Sequence, residues 1–289
     1  MKKPVWLLLT VCPLLLVMLS ANRVEVNKKY RSIQDGVNSG AIHLKIQANG
    51  KGFSGNCIEM DISNSPNDSG YYKLEAGRRL KADDSTAQDI LVTKDQYIPL
   101  AAGEKKHLNV FGFCCQEHHH APMPKSGYSV GNMADKDLVS LARFLNNNQC
   151  PLWSMQEAVW SISDNNALSS VENQNMDSVI ELRNAVARIK HITVPWYSLE
   201  YEKDTAHLFS GRASRLSGVL TYYVPGNELV NVSVFDQSGT LVKTISDGAA
   251  NPDTYSSKLS LDVKGWAKGK YIIRVSLDGN KGLEKMFEL

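Results

Sequence analysis

The densest chemistry in this chain lies in Phe113-Cys114-Cys115-Gln116-Glu117-His118-His119-His120, where thiols and imidazoles crowd together. Neutral imidazole and thiolate both suit borderline and soft metals such as zinc or copper. If this stretch is extended, alternate side chains share a face, so His118 and His120 are the pair able to converge on a metal while His119 points away. Against a metal stands the spacing, because structural zinc sites separate their paired ligands by intervening residues, and a solvated turn is the simpler expectation. Cys115 and His118 also have the residue types of a nucleophile and its base, which makes a cysteine- or metal-dependent hydrolase centred on Cys115 and His118-His119-His120 the alternative functional class. No protease signature surrounds them. Cys57, Cys114, Cys115 and Cys150 are disulfide candidates for an oxidising compartment, and spacing does not choose among their pairings.

These groups must be positioned by short strands and a few helices. Residues 42–48 alternate apolar and polar, the period of a half-buried strand, and Asn49-Gly50-Lys51-Gly52 supplies a turn. Similar runs at 57–62, 70–74, 89–93 and 107–115 give the rhythm of a small antiparallel sandwich or barrel. From Asp135 the period becomes helical: Leu138, Leu141, Ala142 and Leu145 share one face, and Asn146-Asn147-Asn148 ends it. A second helix is expected over 154–162 with Ser154 as its cap, and a third over 177–189. The segment 124–131 lacks the order of a phosphate loop and reads as a surface loop. Beyond 192–211, a connector broken by Pro195, strands are expected at 219–224, 230–236, 241–246, 255–263, 269–277 and 284–289, with hairpin chemistry at Asp236-Gln237-Ser238-Gly239 and Asp278-Gly279-Asn280.

The start reads as an export signal: Lys2 and Lys3, an apolar run over 5–19 interrupted by Pro13, then Ser20-Ala21 before polar Asn22. The run is shorter than the about 20 residues needed to span a bilayer, so cleavage near Asn22 is expected, with no membrane span in the mature chain. Lys+Arg 32 against Asp+Glu 30 is already close to balance, and removing Lys2 and Lys3 makes the mature chain formally neutral. That balance, with 43% hydrophobic residues, excludes a disordered tail and a polybasic nucleic-acid binder.

Two family resemblances follow from particular residues. Asn231-Val232-Ser233-Val234-Phe235-Asp236-Gln237-Ser238-Gly239-Thr240-Leu241-Val242, Leu259-Ser260-Leu261-Asp262 and Ala267-Lys268-Gly269-Lys270-Tyr271-Ile272-Ile273-Arg274-Val275 resemble the C-terminal sorting domains of the type IX secretion system and the related immunoglobulin-like module of flagellar hook-capping proteins. The resemblance runs over 216–289 and implies export across an outer membrane, with the module acting as an address that engages the export machinery. The tail Lys285-Met286-Phe287-Glu288-Leu289 departs from the family by ending acidic and apolar.

The second lies in Ser154-Met155-Gln156-Glu157-Ala158-Val159-Trp160-Ser161-Ile162-Ser163-Asp164, which resembles the Thr-Gln-x-Ala-Ile-Trp segment of bacterial thioester adhesin domains. The resemblance implies that Gln156 is the acyl donor to a cysteine of an earlier strand and that Ala158 and Trp160 are its packing neighbours. Met155 stands where the family prefers threonine. Phe113-Cys114-Cys115 and Asn56-Cys57-Ile58 both match the aromatic-cysteine segment, which leaves Cys115 and Cys57 as thioester candidates with Gln156. The alternative is a helix whose Gln156 lines its buried face.

The expected fold is therefore an α+β N-terminal domain, antiparallel strands then helices, followed by an all-β immunoglobulin-like C-terminal sandwich. The boundaries are 1–21 for the signal, 22–191 for the mixed domain, 192–211 for the connector and 212–289 for the sorting or adaptor domain. The expected function is a secreted or cell-surface bacterial binding or adhesion protein, non-enzymatic and without a cofactor, recognising a protein or glycan partner. The periplasm is the second choice of location.

Overall fold

The structure, a computed structural model, describes residues 29–202 and 210–289; the expected signal 1–21 lies outside them. The N-terminal part begins with β1 (Arg31–Ser32), α1 (Ile33–Asn38), β2 (Ile42–Ala48), β3 (Ser54–Asn64), β4 (Gly70–Leu74), β5 (Arg78–Ala82) and β6 (Ile90–Val92). It continues with β7 (Gln96–Leu100), β8 (Lys105–Cys114), β9 (Gly127–Met133), α2 (Lys136–Asn147), α3 (Leu152–Ser163) and α4 (Ile180–Lys190), with 3-10 turns at Leu168–Ser170 and Met176–Val179 before α4. Strands come first and helices second, as the change of period in the sequence requires.

Six strands close a barrel in the order β2-β3-β8-β6-β5-β9, and β1, β4 and β7 form a small sheet beside it. Alternation fills the barrel: Ile42, Ile46 and Ala48 of β2 face in, together with Cys57, Met60, Ile62, Leu80, Val110, Cys114 and Tyr128. On the other side, Phe113 of β8 and Cys115 just after the strand face outward and are covered by the helices through Leu138, Leu141, Leu145, Val159, Leu182 and Val186. Asp135 caps α2, its carboxylate accepting from the N–H groups of Asp137 and Leu138 at 3.0 Å each.

The C-terminal part contains β10 (Tyr197–Tyr201), β11 (Ala213–Val224), β12 (Glu228–Asp236), β13 (Leu241–Ala250), β14 (Asp253–Asp262), β15 (Lys270–Leu277) and β16 (Asn280–Glu288). Sheets β10-β11-β14 and β13-β12-β15-β16 pack face to face over Leu199, Leu216, Leu220, Leu259, Val232, Val234, Ile273, Val275 and Phe287. Both hairpin turns read from the sequence are present. Asp236 accepts from the N–H groups of Ser238 and Thr240 at 2.9 Å each, and Asp278-Gly279, with φ of 45° and 81°, joins β15 to β16.

Four sequence readings are corrected. Ser154 does not cap α3, which begins at Leu152 after Pro151; the serine is buried inside the helix and donates to Glu172 O at 2.6 Å. The supposed surface loop 124–131 contains most of β9, which pairs with β2 and β5 and closes the barrel. The third helix is preceded by a 3-10 turn over the residues expected to start it. The stretch read as connector contributes β10, antiparallel to β11 with Leu199 opposite Leu216. No helix among the described residues is long and apolar enough to cross a membrane.

Candidate functional site

The C-terminal end of β8 lies where the barrel meets α3. Cys115 N–H donates to Asp89 O at 2.8 Å on the β6 side. Because successive residues of a strand direct their main-chain groups to opposite edges, the N–H and C=O of Cys114 face β3. The ladder stops short there: Ser54, the first residue of β3, pairs with Phe113, and no β3 residue stands opposite Cys114. The Gln156 side chain takes the vacant place. Its Oε1 accepts from Cys114 N–H at 3.1 Å and its Nε2 donates to Cys114 O at 2.8 Å. One carboxamide thus does the work of a missing strand residue, and Gln156 is 0% exposed.

Cys57 reaches the same edge of β8. Between Gly55 and Ile58 the β3–β8 register shifts, and Gly55 at the shift has φ of 71°, a conformation that glycine adopts without strain. The displaced Cys57 thiol sits 3.7 Å from the carbonyl of Gly112, two residues before Cys114 and therefore on the same edge. Gly112 has no room for a side chain, since a Cβ there would lie 2.6 Å from Ile90 Cγ2 and 2.7 Å from Leu91 O. The Cys57 sulfur and the Gln156 carboxamide consequently occupy consecutive positions along one buried strand edge.

Aromatic rings cover this place. Phe53 stacks on Trp160 with centroids 6.3 Å apart, and Trp153 meets both rings edge-on at 6.0 and 5.9 Å. Trp160 is fully buried, whereas Leu152 and Trp153 at the start of α3 are 45% and 42% exposed. Trp153 Nε1 donates to Glu157 Oε1 at 2.9 Å. Burial pushes the Glu157 carboxyl up to about 9, so the group is neutral at neutral pH. Burial also pushes the Cys57 thiol up to about 12, and Cys114 is raised by burial and by its cysteine neighbours. Both cysteines at this edge are protonated thiols at neutral pH.

The cysteine-histidine segment does not assemble as its spacing allowed. Cys115 is sealed on the helix-facing side of β8, where burial raises its thiol to about 12 despite Arg79 nearby. His118 is 83% exposed and faces Glu117, with Nε2 3.4 Å from Oε1. Nucleophile and base are therefore not paired. β8 ends at Cys114, so the alternation expected of His118 and His120 does not apply to the turn beyond. His120 Nε2 lies 2.9 Å from Thr86 Oγ1 and 3.3 Å from Asp84, whereas His119 Nδ1 lies 3.3 Å from Ala87 O. Among the described residues no group of three or more metal-ligating side chains gathers.

No disulfide is present among the described residues. Cys57, Cys114, Cys115 and Cys150 are all free. Adjacent Cys114 and Cys115 point to opposite faces of one strand, and Cys150 belongs to the loop before α3, outside the barrel interior that holds Cys57 and Cys114.

Sequence reading missed Phe53, Gln88, Trp153 and Glu157. Gln88 accepts from Trp160 Nε1 at 3.4 Å and donates to His119 O at 3.0 Å, tying α3 to the histidine turn. The available signal was the spacing of Trp153 and Glu157, one helical turn apart beside Gln156. Comparison with curated proteins finds no match. Residues 217–287, from β11 through β16, match the family model described as Secretion system C-terminal sorting domain, a type IX secretion sorting tail that indicates export to the cell surface or secretion.

Proposed function

We propose that this exported protein is a surface adhesion protein, non-enzymatic in the sense of not turning over substrate, whose N-terminal unit engages a protein or glycan partner and whose Cys57 and Gln156 form an internal thioester. The observation that carries the reading is the convergence of the Cys57 sulfur and the Gln156 carboxamide on neighbouring groups of one buried strand edge. Of the cysteines that the sequence left open, Cys115 lies on the opposite side of β8 from the barrel interior, which favours Cys57.

In the bond-forming step the Cys57 sulfur attacks Gln156 Cδ, the C–N bond breaks, and ammonia leaves with the thiol proton. The retained carbonyl oxygen keeps the Cys114 N–H as a donor. Phe53, Trp153 and Trp160 shield the bond from water, and a partner amine would be acylated with return of the thiol. Export of the unit on a sorting tail places such chemistry where partner surfaces are met.

The test is the intact mass of the purified mature protein. The expected mass is lower than the sequence mass by one ammonia; methylamine restores one amine, and both signals vanish in Gln156→Ala and Cys57→Ala. A mass equal to that of the open chain, with four titratable thiols after denaturation and no methylamine adduct, would overturn the thioester.

A further inference from the structure

The match to the sorting family begins at residue 217, after β10, yet β10 is an integral strand of the C-terminal sandwich. Without it the sheet β10-β11-β14 would have only two strands. Tyr197, Ser198, Leu199, Glu200 and Tyr201 stand opposite Gly218, Ser217, Leu216, Arg215 and Ala213 of β11, and Leu199 is buried in the sandwich core. Trp196 Nε1 donates to Met286 O at 2.6 Å. The Tyr197 hydroxyl accepts from Glu288 N–H at 3.0 Å, which ties the segment to β16 as well. Gly218 has the same dependence: a Cβ there would lie 2.9 Å from the Trp196 ring, so the glycine makes room for the incoming indole.

The same segment is held from the other side. Arg183 of α4 is 3% exposed, and its guanidinium donates to Val171 O at 3.1 Å and to Pro195 O and Tyr197 O at 2.8 Å each. A buried guanidinium without acceptors is costly, so these carbonyls bind the start of β10 to the helical layer. β10 also runs against the turn Leu168–Ser170, and Tyr201 lies beside Glu157 and Ser169.

We propose that β10 is a strand lent by the N-terminal unit to the sorting sandwich, a non-covalent joint that keeps cargo and address together even when the peptide link between β10 and β11 is broken. The partner for the β11 edge is thus a named segment of this chain, and main-chain pairing supplies much of the grip while Leu199 and Trp196 give it specificity. The joint is independent of the thioester, which involves none of these residues.

The experiment uses the full mature chain with a protease recognition sequence introduced within 203–209. After cleavage the two pieces are expected to co-elute on native size exclusion and to separate only in denaturant. Separation of the cleaved parent protein under native conditions would overturn the proposal. Cleaved Leu199→Ala, losing core contacts, should associate at least about 30-fold more weakly on dilution. Cleaved Gly218→Val should also weaken association, through its collision with Trp196. If both cleaved variants associate as tightly as the parent, the joint is not β10. Circular dichroism of the uncut variants separates loss of the joint from loss of folding.

Discussion

Replacing Gln156 with leucine tests whether one carboxamide completes the β8 edge. The substitution keeps the approximate volume and removes both hydrogen bonds, leaving the buried N–H and C=O of Cys114 without the partners they have at 3.1 and 2.8 Å. Each buried main-chain group left unsatisfied costs about 1–3 kcal/mol, so the pair sums to roughly 2–6 kcal/mol, with about 3 kcal/mol expected after the apolar gain of leucine. The comparison belongs in a Cys57→Ala background, where no thioester can contribute. Urea unfolding followed by tryptophan fluorescence gives the stability difference, and hydrogen exchange at the Cys114 amide gives its location. Gln156→Glu supplies a second arm: its carboxylate can accept from Cys114 N–H but cannot donate to Cys114 O unless protonated, so its penalty should shrink in acid. A Gln156→Leu cost below about 1 kcal/mol with unchanged Cys114 exchange would refute the strand-completing role.

Four shorter predictions follow from the same geometry. Glu157 has a folded pKa of about 9, above its unfolded value near 4.3, so its protonated form favours folding in acid and stability falls as pH rises between those values. Glu157→Gln should flatten that decline, as measured by urea midpoints from pH 5 to 8. Arg183→Met should cost at least about 3 kcal/mol in thermal or urea unfolding, since it strips three carbonyls, of Val171, Pro195 and Tyr197, of their donor at about 1–3 kcal/mol each. Asp135→Ala should cost about 1 kcal/mol through loss of the α2 cap, and Asp135→Asn should recover most of it. Deleting 217–287 should abolish delivery to the cell surface or medium, read by fractionation; unchanged delivery would contradict the address role.

Much of the architecture is legible wherever local pattern and burial coincide. The alternation over 42–48 became β2 with the same ends, and the face Leu138, Leu141, Ala142 and Leu145 became the buried side of α2. β9 and β10 escaped because a strand with Gly, Ser and Asn, or one flanked by proline and mixed aromatics, shows little periodicity of its own. Their partners stabilise them: β2 and β5 for β9, and β11 for β10.

By itself the sequence determined the order of strands before helices, the turns at Asp236 and Asp278, and the sorting signature of the last quarter, because these depend on neighbours close along the chain. It also singled out Gln156 and the cysteines by type. Only the tertiary structure sets where they lie relative to one another. Whether a cysteine meets Gln156 depends on where β3 stops, on the bulge that carries Cys57 to Gly112, and on α3 crossing the exposed edge of β8. Those are long-range contacts between segments some 40 to 100 residues apart, as Cys114 and Cys57 are from Gln156. No local periodicity encodes them: strand pairing and helix docking are set by the packing of whole layers, which also separated Cys115 from His118 despite their nearness in sequence.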